Sequence, residues 1–196
     1  MVSFLWLLKM TFQKKQSNLF QIHFGSLALS DFRIQKLLGR LQVSVPSLVR
    51  LTTQYVHFYE LSSVLDQDQQ QVVEKLLDYG PQLDQGPQLD QGSKPGQGPK
   101  VHQSPKVDPL NCISKNNKTL VVIPRPGTIS PWSSKATNIV HNAGLAQINR
   151  IERGIVYSID ADTELTTAQT DIVISAIHDR MVESVFDYPL TAELLF

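Results

Sequence analysis

Two stretches of this chain, separated by a segment too polar and too rich in glycine and proline to pack, carry the same order of hydrophobic patterns. In the first, LFQIHF places Phe20, Ile22 and Phe24 on one side of an extended chain, the two-residue period of a half-buried strand. Ser30 then reads as a helix N-cap, with Asp31 favourable to the dipole in the first turn. Ile34, Leu37, Leu38 and Leu41 follow at helical spacing. LTTQYVHFYEL, dense in β-branched and aromatic residues, predicts a second strand. A second helix carries Val72, Val73, Leu76 and Leu77 and stops at Gly80–Pro81.

The second stretch repeats that order. Thr119–Pro124 is an apolar strand, Ser130 caps a helix, and Pro131 takes its first position, where a fixed φ is an advantage. Trp132, Ala136, Ile139, Val140 and Ala143 form the expected buried stripe, and Gly144 ends the helix. INRIERGIVYSID predicts a long strand with a bulge or bend at Gly154. A last helix begins near Thr166–Thr167 and is expected to bury Val173, Ile177 and Met181. Gly25 and Gly127 precede the two serine caps at what read as corresponding places.

The fold class expected is therefore α+β. Two β-α-β-α halves, residues 20–79 and 119–188, would pack as an internal pseudo-dimer, because each half alone would leave a sheet face uncovered. Between them, residues 80–118 contain GPQLDQ twice in tandem and few aromatics, the composition of a disordered linker. Such a tether spans roughly 35 Å and imposes no geometry. Residues 189–196 begin a connection onward. Residues 1–19 are an unmatched leader, expected to be loose. Its apolar run, Phe4–Leu8, is too short to cross a bilayer, and it lacks the basic start and cleavage site of a secretory signal. An organellar address in that leader stays open.

Composition narrows the function classes. Lys plus Arg equals Asp plus Glu, 18 each, for a net charge of +0, so nothing global draws the chain to nucleic acid. Cys112 is the only cysteine, which excludes an internal disulfide and suits a reducing compartment. It lies in the polar tether and reads as a bystander thiol. The five histidines show no metal spacing, and Asp160, Asp162 and Glu164 lack the glycine punctuation of a calcium loop. No catalytic or metal-ligating residue is expected in this chain.

The stretch PRPGTISPWSSKATNIVHNAG poses the functional question. A phosphate cradle needs convergent backbone N–H groups at a helix start, and Arg125, Thr128, Ser133, Ser134 and Lys135 would suit one. The spacing is not that of a P-loop, however, and Pro131 removes a donor. The alternative is a capped helix with a polar face, Ser133, Ser134, Lys135, Asn138, His141 and Asn142, turned toward another protein surface. The expected inter-domain or anion contacts are Arg125, Thr128, Ser133, Ser134, Lys135 and His141.

LVVIPRPGTISPWSSKATNIVHNAGLAQINRIERGIVYSID, with GSLALSDFRIQKLL, YVHFYEL and LLDYGP upstream in the same order, resembles the N-terminal region of phosphoribosylformylglycinamidine synthase in its large single-chain form. The resemblance spans Phe20 to Val185 apart from the tether. It implies membership of a cytoplasmic, ATP- and glutamine-dependent ligase of purine biosynthesis. It also implies that this domain resembles a fused dimer of the small subunit of multi-subunit forms. ATP and Mg would be used by the full-length family enzyme, with no cofactor in this chain. The synthase and glutaminase domains, its expected partners, follow later in the family's chain, so Cys112 is not matched to the glutaminase nucleophile. The alternative is a free-standing small-subunit-like module acting in trans. Neither nucleic acid nor a membrane is an expected partner.

Overall fold

A computed structural model describes residues 19–78, 116–190 and 192–196. The GPQLDQ repeats, Cys112, residues 1–18 of the leader and the stop at Gly80–Pro81 lie outside them, whereas Leu19, expected in the leader, opens the first strand, and Asn117 and Lys118, expected in the tether, open the third. The elements are β1 (Leu19–Leu27), α1 (Asp31–Ser44), β2 (Leu48–Leu61), α2 (Gln67–Leu77), β3 (Asn117–Pro124), α3 (Pro131–Asn142), β4 (Ile148–Ala161), α4 (Thr167–Ile177) and β5 (Glu183–Asp187). This is an α+β fold built on one five-stranded sheet of order β1-β2-β4-β3-β5, with every neighbouring pair antiparallel.

The two stretches join edge to edge through β2 and β4, which pair from Leu48↔Ala161 to Leu61↔Ile148. From β2 onward, corresponding elements lie 100 positions apart: Leu48 and Ile148 open the two central strands, Gln67 and Thr167 the two helices that follow. Even the local chemistry repeats. Asp66 caps α2 and Thr166 caps α4 through the same reciprocal box, with Gln69 and Gln169 returning the bond. Each box satisfies two otherwise unpaired helix donors.

Side chains alternate across a strand, so the sheet has two unlike faces. On one, α1 and α4 cover Leu51, Leu120, Tyr157 and Ile159, while α2 and α3 cover Tyr59, Leu61, Ile148 and Ile151. On the other, Val56, Phe58, Val121, Ile123 and Val156 pack against Leu190, Ala192 and Leu195 of the C-terminal segment. The faces are thus covered by four helices on one side and a strap on the other. The halves do not close over each other face to face. Burying each such side chain is worth about 1.5–3 kcal/mol.

Several local expectations are corrected by packing. Gly154 sits in unbroken register opposite Val56, and the ladder's irregularities fall at Leu48/Arg50 and Glu60/Leu61. Glycine is required there by proximity: an added Cβ would stand 2.7 Å from the Val122 carbonyl oxygen. Gly25 lies within β1 beside His57, whereas Gly127 adopts φ 76 in the loop after β3, so the two are not equivalent. Ser30 precedes α1 without a side-chain cap bond. Met181 lies past the end of α4 and is exposed, and Val72 and Leu76 flank the core instead of entering it.

A candidate docking site at the start of α3

Strand β3 pairs with β4 only as far as Val122↔Ile155, which leaves the N-terminal part of β4 without a strand on that side. Helix α3 fills the gap. Thr137 Oγ1 accepts from the Ile151 N–H at 3.3 Å, and one turn later His141 Nε2 contacts the Ile148 carbonyl at 2.6 Å. Gln42 of α1 serves the carbonyl of Leu48, the counterpart of Ile148, at 2.8 Å. Two edge groups that would otherwise lack partners are thereby satisfied.

This docking turns α3 by about one position from the expected stripe. Trp132, Ser133, Ala136, Thr137 and Val140 face inward, and Ile139 and Ala143 face solvent. Ser133 is 0% exposed, so it is corrected from an outward contact to an interior residue. Its hydroxyl has no hydrogen-bond partner among the described residues. Its backbone N–H donates to Ser130 Oγ at 3.0 Å, the cap that the sequence predicts.

Between β3 and α3, the loop Arg125–Ser130 is held on its inner side, with residues 125–129 exposed on the other. The Arg125 carbonyl accepts from both the N–H and the hydroxyl of Thr128, at 3.0 and 2.6 Å. Behind it lies Glu152, 0% exposed. Its carboxylate accepts from the Ser130 N–H (3.0 Å), the Ser130 hydroxyl (2.8 Å) and Arg150 Nη2 (2.6 Å). Arg150 also donates to the Thr128 carbonyl, and its guanidinium lies 5.0 Å from the centre of the Phe196 ring. A buried carboxylate is costly unless paired and hydrogen-bonded, and this one is both.

The arrangement answers the phosphate question. An anion at the start of α3 would need free N–H donors, but Ser130 N–H is held by Glu152 and Ser133 N–H by Ser130, while Pro131 has none. The protein's own carboxylate occupies the place an external anion would take. Among the described residues, no group of three His, Cys, Asp or Glu side chains could hold a metal, and Asp160, near the end of β4, pairs with Arg50 of β2 at 3.0 Å.

Of the other expected contacts, Arg125, Thr128, Ser134 and Lys135 are exposed, and His141 is exposed but tied to Ile148. The residues missed by sequence reasoning are Glu152, Arg150 and Phe196. The available signal was the RIER run, which sets Arg150, Glu152 and Arg153 among the apolar positions of a strand. A second cluster lies on the helical face. The Arg153 guanidinium stacks over Tyr55 (4.7 Å) and Trp132 (4.9 Å), with the His57 ring 5.7 Å from that of Trp132. Burial, with the nearby charges of His23 and Arg153, lowers the His57 pKa from 6.5 to about 3, so this histidine is neutral at physiological pH.

Among the described residues no helix is long and apolar enough to cross a membrane. The family described as formylglycinamide ribonucleotide amidotransferase N-terminal matches residues 54–196, which runs from the middle of β2 through the C-terminal strap and takes in the loop and Glu152. The chain belongs to that family, the N-terminal domain of phosphoribosylformylglycinamidine synthase.

Proposed function

We propose that this chain is the assembly domain of the synthase, an internal pseudo-dimer that docks on the catalytic body, helps wall the substrate cleft and supports passage of ammonia from the glutaminase. The chemistry belongs to the synthase and glutaminase domains. The observation that carries the reading is the loop Arg125–Ser130, fixed through Ser130 and Thr128 by a buried charge pair, with its outer side in water. A buried ion pair is weak support for stability but defines geometry, and loops held by a rigid scaffold are where proteins place their contacts. The 100-position correspondence between Leu48–Leu61 and Ile148–Ala161 supports the pseudo-dimer. Cytoplasmic placement accords with a single cysteine.

Purified chain incubated with glutamine, ATP and formylglycinamide ribonucleotide is expected to give neither amidine nor glutamate. Turnover by the chain alone would overturn the assignment.

A further inference from the structure

We infer that the C-terminal strap is a latch on the start of α3. By seating Phe196 over Arg150 it shields the Arg150–Glu152 pair from water, and with it the hold of that pair on Thr128 and Ser130. The latch acts on the order of the loop, whatever surface the loop meets.

The strap is fastened by side chains. Leu190, Ala192 and Leu195 are buried on the face of the sheet opposite the four helices. Tyr188 meets Phe24 edge-on, with ring centres 6.3 Å apart, and Phe196 stacks on Phe20 at 5.7 Å, so both ends of the strap are tied to β1. The Tyr188 N–H donates to the Thr119 carbonyl at 3.1 Å. Beyond it, among the described residues, the strap's backbone bonds only within itself, from the Leu195 N–H to the Ala192 carbonyl. The strap can therefore lift without breaking a strand ladder, as a local opening separate from global unfolding. Its last ring reaches from Phe20 on β1 to the Arg150 guanidinium on β4, 5.0 Å from the ring centre. A ring face attracts a guanidinium most strongly when water is excluded, and a charge pair weakens when water returns.

The first half of the chain supplies the comparison. Arg50 and Ser30 stand 100 positions before Arg150 and Ser130, at the same places in β2 and before α1. The side chain of Arg50 is 62% exposed, against 16% for Arg150, and its carboxylate partner is Asp160, near the far end of β4. Thr52 stands where the second half has Glu152, and Ser30 makes no side-chain cap bond. Where Phe196 covers the arginine, the ion pair is buried and the helix start is fastened. Where the arginine lies open to water, the serine before the helix caps nothing.

Amide hydrogen exchange in the full chain tests the latch through two N–H groups: that of Ser130, held by Glu152, and that of Val173, buried in the middle of α4, which reports general stability. Phe196→Leu keeps apolar bulk and removes the ring face, whereas Leu195→Ala loosens the strap and leaves the ring. Each is expected to speed exchange at Ser130 at least fivefold more than at Val173. Phe196→Tyr, which retains a ring face, should leave both amides within about twofold of the native chain. Equal acceleration of Ser130 and Val173 in the first two variants would reduce the strap to general stability and overturn the inference. An unchanged rate at Ser130 in both would overturn it as well, and so would a Phe196→Tyr chain in which Ser130 exchanges as fast as in Phe196→Leu.

Discussion

The carboxylate of Glu152 accepts both the backbone N–H and the hydroxyl of Ser130, at 3.0 and 2.8 Å, and so ties the middle of the sheet to the residue that caps α3. Glu152 also neutralises Arg150, whose side chain is 16% exposed. Removing one member leaves the other charge without its partner. Glu152→Ala is therefore expected to lower unfolding free energy by about 3–5 kcal/mol, read from urea denaturation at pH 7.5. Ser130→Ala removes the cap and should cost about 1 kcal/mol. Equal losses from the two variants would contradict the proposed division of roles.

His57 makes stability depend on pH. Its pKa falls from an ordinary 6.5 in the unfolded chain to about 3 in the fold, so the unfolded state takes up the proton first. The contribution is fully present above pH 6.5 and is lost as pH falls toward 3, at about 1.4 kcal/mol per pH unit. At pH 5 the loss is about 2 kcal/mol relative to pH 7.5. Urea midpoints recorded over that range should decline in the native sequence and decline less in His57→Phe. A flat profile for the native sequence would refute the buried neutral histidine.

Gly154 tests the close approach between β4 and β3. A methyl group there would meet the Val122 carbonyl oxygen at 2.7 Å and Ile123 Cγ2 at 2.8 Å, and a carbonyl within a ladder cannot move aside freely. Gly154→Ala should cost about 1–3 kcal/mol through strain. Gly39→Ala is the control: nothing lies within 4 Å of its added Cβ, and it occupies a helix interior, where alanine is preferred by about 1 kcal/mol. Calorimetry should show opposite shifts.

The repeated capping boxes should be repeated in energy. Asp66→Ala and Thr166→Ala each remove a side-chain acceptor from the third residue of a helix, Gln69 or Gln169. Each is expected to lower stability by about 1 kcal/mol, and the double variant by their sum, because the sites share no partner. Marked non-additivity would show coupling that the contacts do not contain.

How much was legible in the sequence follows from which forces are local. Alternation at Phe20, Ile22 and Phe24, the helical spacing of Ile34, Leu38 and Leu41, and Ser130 followed by Pro131 are local signals, and each marks the element it predicts, although Ile22 stays exposed while Phe20 and Phe24 pack on the core. The face of α3 is not local. It is set by an edge of β4 that needs hydrogen-bond partners, supplied by Thr137 and His141, and this rotation carries Ser133 inward and Ile139 outward. No hydrophobic period records such a demand. Glu152 was missed for a related reason: a lone carboxylate in a strand usually faces water, and only the folded loop brings Ser130 over it. The joining of the stretches through β2 and β4 depends on strand edges, which a pattern of buried faces does not describe.

The central claim is that the loop is ordered before any partner arrives and that its exposed residue Ile129 is covered when the catalytic domains are present. Amide hydrogen exchange, followed for residues 125–133 in the isolated chain and in the intact synthase, tests it most directly. The account predicts that Ser130 and Ser133 exchange slowly in both, at least a hundredfold below an unstructured peptide, and that Ile129 slows only in the intact enzyme. Exchange of Ser130 at the unstructured rate in the isolated chain, or of Ile129 at one rate in both, would contradict it.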